Sequence, residues 1–479
     1  MKKLLIITLL IGITFSCENF EGWNVDEINP SEVPASYLLT SSQFNLARRM
    51  TDQSVNYNIY KLLAQQWTQT QYTDESNYDF ITRDIGGNMT IFLYRDVLID
   101  LKEAKEILAA DEFISAQTRD TQTGIIELME VFTWTIIVDS YGNVPYTEAL
   151  QGLDNLTPAY DDDAAIYADL FSRLDAALSL LNAGGDSFGG ADLFYGGDVS
   201  QWKKFGNSLK LRMAVRTDDF DHARSATAAS AALSAGVFGA KSDNFVFPFE
   251  ATPPNNNPIW GNLVESGRND YVLANTFVDL ILPLNDPRTP VYMQDNIATG
   301  YVGGTYGSGS SYVDFTHIGE KWHTPDMEGV LMSYSEVQFL LAEAVERNLI
   351  GGSAENYYNA GVSASIIYWG GTQADADTYL SQASVAYATA GATWKEVIGN
   401  QKYISLYGRG FEAWSSWRLL DFPNTMHRPE VSGEAVPRRY IYGNDDAQLN
   451  GDNYDAASAA MGGDKKSSRV FWDINGAGN

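Results

Sequence analysis

From Asp163 onward the apolar positions Ile166, Leu170, Leu174, Ala177, Leu178 and Leu181 recur at spacings of four, four, three, one and three. Such spacing puts them on one face of a helix, and Gly184 with Gly185 stops it. A second stripe, Val337, Leu340, Leu341, Ala344 and Val345, opens at Ser333 and closes at Gly351 and Gly352. Ser333 followed three residues later by Glu336 has the capping-box spacing of a helix start. The same period predicts helices near 36–50, 54–70, 90–110, 119–140, 200–217, 353–369, 391–406 and 408–420. Residues 241–330 show no period and contain proline-, asparagine- and glycine-rich runs. Stretches this long either carry function or are disordered. Trp260, Tyr271, Tyr301, Tyr306, Tyr312 and Trp322 lie inside it, and that aromatic content predicts ordered, packed loops. Paired helices every ~30–45 residues raise the question of a helical repeat, although no full tetratricopeptide consensus is visible.

The N-terminus has a different pattern. Lys2 and Lys3 precede an uncharged run from Leu4 to Phe15, then Ser16 and Cys17, the one cysteine in 479 residues. A positive head, a short apolar core and a small residue before the cut describe a secretory signal. The run is too short for a bilayer, which takes ~20 apolar residues. A lone thiol at that position is best explained by lipid attachment at Cys17, as in bacterial lipoprotein signals. Thr14 departs from the leucine usual three residues before such a cysteine. Residues 1–17 are therefore read as a lipoprotein signal peptide and 18–479 as the working body. Without another cysteine, no disulfide braces that body, and its stability must come from a core.

Charge narrows the partners. Loss of Lys2 and Lys3 leaves 30 basic residues against 61 acidic ones, a net charge of −31. Such a field repels phosphate backbones, which argues against nucleic acid and disfavours strongly anionic glycans. Aromatic content is high at 13%, and 27 Tyr and 11 Trp together outnumber 22 Phe. Rings with a polar edge suit flat amphipathic ligands such as sugars.

Signatures of catalysis are few. There is no H-E-x-x-H, G-x-S-x-G or phosphate-binding loop. His317, Glu320 and His323 lie close in sequence, but their spacing fits no helical face and they read as ordinary loop residues. No metal and no cofactor is expected. Asp161, Asp162 and Asp163 resemble a cation cluster, yet they stand where carboxylates suit a helix N-terminus. The positive signal is of binding type. From Trp67 to Tyr78 the chain mixes rings with short polar groups, among them Tyr72, Asp74, Glu75 and Asp79. The stretch from Asn255 to Asn262, which contains Trp260, and that around Trp322 have the same character. Trp67, Tyr72, Asp74, Tyr78, Trp260, Asn262 and Trp322 are therefore the candidate ligand-binding residues, with the three tryptophans as stacking platforms. Stacking on a ring is worth ~1–3 kcal/mol for a nucleobase, so a few platforms give only modest affinity for a sugar.

Several blocks, taken in order, resemble the SusD/RagB family of outer-membrane lipoproteins of Bacteroidetes. They run from Tyr141 to Tyr146, from Asp192 through Trp202 and Arg212 to Arg216, from Met332 to Ala344, and from Gln401 through Gly410 and Trp414 to Pro437–Tyr440. Asn143 stands where that family usually has Asp. The resemblance implies a mainly α fold with tetratricopeptide-like helix pairs and a loop-rich region. It implies a non-enzymatic, lipid-anchored, surface-facing protein of the outer membrane. Such a protein captures oligosaccharide or polysaccharide, here a neutral glycan, and delivers it to a SusC-like TonB-dependent transporter. A peptide-capturing member of the family is the alternative, and a glycoside hydrolase on the same scaffold a more distant one. Trp202, Arg212, Glu336 and Trp414, inside the matching blocks, are expected to hold helices together, with ligand residues in the variable loops, mainly 241–330.

Overall fold

The computed structural model describes residues 33–474; Cys17 and the signal peptide lie outside them. Ten long helices set the frame. They are α1 (Ala35–Thr51), α2 (Ile99–Ala110), α3 (Ala116–Tyr141), α4 (Asp163–Leu180), α5 (Val199–Thr217), α6 (His222–Ala235), α7 (Tyr334–Glu346), α8 (Ala354–Tyr368), α9 (Trp394–Ser405) and α10 (Gly410–Leu420). They pack as pairs, α1 with α2, α3 with α4, α5 with α6, α7 with α8 and α9 with α10. Contacts between α4 and α5, α5 and α7, and α7 and α9 join the pairs. This is the paired-helix, mainly α architecture expected of the sequence.

The periodic stripes become the seams. In α4, Ile166, Leu170, Leu174 and Ala177 are buried, and the Asp162 carboxylate caps the start by accepting from the Ala165 amide at 3.0 Å. Asp161 and Asp163 act differently, each fastening a loop: Asp161 accepts from the Tyr146 and Thr147 amides, Asp163 from the Phe471 amide at 2.9 Å. Ser333 caps α7 through the Glu336 amide at 3.2 Å. The Glu336 side chain does not complete the box; it turns inward to Arg212, at 2.7 Å from Nε, and to Arg409. Helix α6 has no stripe of large apolar residues for periodicity to find. It packs through Ser225, Ala228, Ala229 and Ala232, and Asp221 caps it.

A helix over 54–70 does not form. Only Tyr60–Leu63 is helical, and Gln65 takes a left-handed φ of 51°. The Gln65 amide is held by the Tyr78 hydroxyl and by both backbone groups of His427. Tertiary bonds thus turn the chain into strand β1 (Trp67–Gln69). Five further short strands follow: β2 (Val144–Pro145), β3 (Tyr160–Asp161), β4 (Phe245–Phe247), β5 (Tyr271–Leu273) and β6 (Gly329–Met332). They pair antiparallel as β1 with β5, β2 with β3 and β4 with β6, with Trp67 opposite Leu273 and Gln69 opposite Tyr271. Residues 241–330 are ordered against the core as their aromatics predict: Tyr271, Tyr306 and Trp322 are buried.

Buried charges tie the pairs to one another. Arg216 on α5 bonds Asp139 on α3 and both carboxylate oxygens of Glu412 on α10. Trp202 donates to Asp192 at 2.7 Å, and Trp414 to the Pro437 carbonyl at 2.8 Å. These blocks are structural, as anticipated. Among the described residues no helix is long and apolar enough to cross a membrane.

Candidate functional site

The β1–β5 pair runs to the surface beside a polar cleft of about 290 Å³. Its walls come from residues 53–56 after α1, the end of β1 with the turn after it, Arg83, and residues 262–271 entering β5. Gln53, Asn56, Gln69, Gln71 and Asn262 supply amides, Tyr72 and Tyr271 supply rings, and Arg83 and Arg268 supply charge. Tyr72 stands out because its side chain is 67% exposed on backbone with φ of 52°. A non-glycine residue in the left-handed region carries a cost that surrounding structure must sustain. Here β1 on one side and the turn at Glu75–Asn77 on the other fix it.

The cleft is braced from within. Asn262 donates from Nδ2 to the Asp52 carboxylate at 2.6 Å and to the Gln53 carbonyl at 3.0 Å. Asp52 also accepts from the Tyr57 hydroxyl. Behind it, buried Lys61 donates to the Thr51 and Asp52 carbonyls at 2.7 and 2.8 Å. Burial pushes the Lys61 ammonium down to about 7, with the Asp52 carboxylate opposing the shift. On the far wall Glu75 is buried, bonded to Gln69 at 2.6 Å and paired with Arg83. Burial raises its carboxyl above the usual range, opposed by the bond to Gln69. Arg268 grips Asp270 at 2.5 Å and 3.1 Å. The result is a rigid, amide-rich surface with one projecting ring and locally balanced charge.

The structure divides the sequence candidates. Tyr72 and Asn262 line the cleft, and Asp74 lies exposed two residues past Tyr72. Trp260, half-buried on the turn Pro258–Trp260, belongs to the same segment as Asn262 without lining the cleft. Three candidates need correction. Trp67 is fully buried, its indole donating to the Tyr407 hydroxyl at 3.2 Å, because β1 pairs inward with β5. Tyr78 is fully buried and accepts from Gln65 at 2.9 Å. Trp322 is 5% exposed and packs edge-on to Trp67, with ring centroids 6.1 Å apart. None offers a face to a surface ligand. His317 bonds the Tyr312 carbonyl at 2.7 Å and Gln294 at 3.2 Å. Sequence reasoning missed Gln53, Asn56 and Arg268. The first two lie where periodicity pointed to the onset of a helix, and Arg268 sits in an aperiodic run; the one available signal was the amide-rich composition.

Residues 27–443 match the model of a SusD-like family described as starch-binding, associating with the outer membrane. No curated protein matches. A chitin-binding protein of known structure is 27% identical over 92% of this chain and 100% of its own, with a TM-score of 0.78. A chitin-binding SusD homologue from Flavobacterium johnsoniae is 23% identical over 92% of this chain and 99% of its own, at TM-score 0.78. A SusD homologue from Parabacteroides distasonis superposes at TM-score 0.80 with 22% identity, over 93% of this chain and 99% of its own. With the family model covering most of the sequence and the paired-helix fold shared throughout, this chain belongs to the SusD/RagB family.

Proposed function

We propose that this protein captures a neutral oligosaccharide in the cleft beside Tyr72 and passes it to a SusC-like TonB-dependent transporter, without catalysing a reaction on it. The observation that carries the reading is the exposed Tyr72 ring held at the rim of an amide-rich cleft. A sugar presents one C–H-lined face to such a ring and its hydroxyls to amides. Asn262 and Asp74 supply hydrogen bonds, and Trp260 extends the platform for a longer chain. The pairing of Arg268 with Asp270 and of Arg83 with Glu75 leaves little unspent positive charge to select an acidic glycan. Chitin binding by a 27%-identical relative directs the first trials to N-acetylated glucans, with starch as the second class. The lipid at Cys17 holds the body at the outer surface of the outer membrane.

Affinity electrophoresis with soluble chitin derivatives and starch tests the reading, using protein lacking residues 1–17. Retardation by one neutral glycan is expected, and Tyr72→Ala should reduce it by about tenfold in affinity, or ~1.4 kcal/mol, with the melting temperature unchanged. Normal retardation of the variant would remove Tyr72 from the site, and no retardation by any neutral glycan would overturn the function.

A further inference from the structure

A second space lies under the surface, away from the cleft. It encloses about 330 Å³ between α7, α8, the turn that follows α9 and the end of α1. Trp322, Trp369 and Tyr407 form one wall, and Tyr334, Tyr368 and Ile367 stand with Met50 nearer solvent. The wall is built by backbone as well as by rings. Gly408 has φ of 80°, and a Cβ there would come within 2.2 Å of the Trp322 ring. Only glycine both adopts that conformation cheaply and lets the indole lie flat on the chain.

Polar groups around this space are unevenly satisfied. The hydroxyls of Ser333 and Ser335 are already engaged, the first by Arg409 and the Glu336 amide, the second by the Gly361 carbonyl and Ser405. By contrast, Trp322 Nε1 and Thr51 Oγ1 are buried and make no hydrogen bond among the described residues. These residues are 5% and 8% exposed. A buried donor left unpaired costs ~1–3 kcal/mol, so it marks a place where an acceptor is wanted. Lys241 lines the outer end of the cavity, and Lys321, outside the lining, donates to the Tyr368 carbonyl at 3.3 Å; both ammonium groups lie near the Tyr368 ring. Lys241 Nζ and Lys321 Nζ lie 5.3 and 4.9 Å from the Tyr368 centroid, and Lys321 also lies 4.8 Å from that of Trp369. Glu328 lines the same end, and Arg409 is engaged by Glu336. Burial and the neighbouring Lys241 charge both depress Lys321, with Glu328 opposing.

We infer that this cavity is a binding site for a small aromatic acid, separate from the glycan cleft and independent of that reading. The volume is roughly twice that of a cavity that holds benzene, ~150 Å³. It therefore accommodates one or two fused rings with a short substituent. A sugar fits poorly, because its many hydroxyls would meet apolar walls and serine hydroxyls already in use. An aromatic body fills the space among Trp322, Trp369 and Tyr407. A single acceptor oxygen meets Trp322 Nε1 or Thr51, and an anionic group faces Lys241 at the open end.

Titration calorimetry of the purified protein with naphthalene-2-sulfonate and with 4-hydroxycinnamate, against uncharged 2-naphthalenemethanol, tests this. Saturable 1:1 binding of the acids is expected, tighter than the alcohol by about fivefold or more. Ala364→Phe fills the cavity from α8 and should abolish acid binding while glycan retardation and melting temperature persist. Lys241→Gln, at an exposed position, should weaken the acids by about threefold and leave the alcohol unchanged. Absence of saturable binding up to ~1 mM, equal affinity for acid and alcohol, or acid binding unaltered in Ala364→Phe would each overturn the assignment. If Ala364→Phe fails to fold, the Lys241→Gln comparison decides alone.

Discussion

Tyr72 and Trp67 stand five residues apart, and the chain treats them oppositely. Trp67 faces inward from β1, bonded to Tyr407 and packed against Tyr271 and the edge of Trp322. Tyr72, past the strand end, faces water. Trp67→Ala should therefore cost ~3–5 kcal/mol in urea unfolding, where Tyr72→Ala should cost almost nothing. A loss of glycan binding without loss of stability in Trp67→Ala would reverse the two roles. Asp163 gives a pH-dependent prediction. Burial raises its carboxyl to about 6, although it accepts from the Phe471 amide. Its folded value lies above its unfolded one, so the stability it contributes is complete below about pH 4 and lost as pH rises through about 6. Asp163→Asn keeps a neutral acceptor for that amide. Its unfolding free energy relative to the native protein should climb between pH 4 and pH 7 by on the order of 2 kcal/mol, read by urea unfolding at each pH. A difference constant with pH would show the carboxylate to be ionised at no cost. At this scale composition predicted a binding surface, but not which rings form it, because burial depends on strand pairing and not on residue type.

Helix pairs carry the fold, and charges inside them fix their register. Arg216 alone joins α3, α5 and α10 through Asp139 and Glu412. Burial alone would raise the Glu412 carboxyl, but the Arg216, Arg212 and Lys402 charges together hold it down to about 2. Arg216→Ala should cost about 3–5 kcal/mol, since it strands two buried carboxylates. Calorimetric unfolding of that variant checks this, and a loss below ~1 kcal/mol would show the network to be dispensable. Ser333→Ala removes both the α7 cap and an acceptor for Arg409, and should cost ~1–2 kcal/mol. The elements with strong apolar stripes, α4 and α7, were legible because each buries that stripe against a partner. Helix α6 was not, since small residues packed closely leave no periodic signal. The segment 54–70 was misread for the opposite reason: its apolar spacing is helical, but hydrogen bonds from Gln65 to distant Tyr78 and His427 break it.

For the whole molecule, the proposed loss of the signal would leave a net charge of −31, and the proposed lipid on Cys17, the one cysteine of the sequence, would set how it meets its surroundings. Cys17→Ser should leave soluble protein that retards normally on glycan gels but no longer concentrates ligand at the cell surface. A lipid tether at Cys17 would let local concentration stand in for affinity, which would suit a site built on one or two stacking contacts. Retained membrane association of that variant, assayed by fractionation, would show that something other than lipid holds it. Local sequence was enough for the striped helices such as α4 and α7, for the structural role of Trp202, Arg212, Glu336 and Trp414, and for the family. Those properties follow from periodic burial and from residues whose local spacing repeats in order. Tertiary structure alone decided that Trp67, Tyr78 and Trp322 are interior, that Tyr72 and Asn262 share a cleft, and that Trp322 lines a cavity. Those outcomes depend on distant segments meeting in space, as Trp67 and Tyr407 do across 340 residues, and no local pattern of hydrophobic and polar residues encodes which of two faces such a meeting will cover.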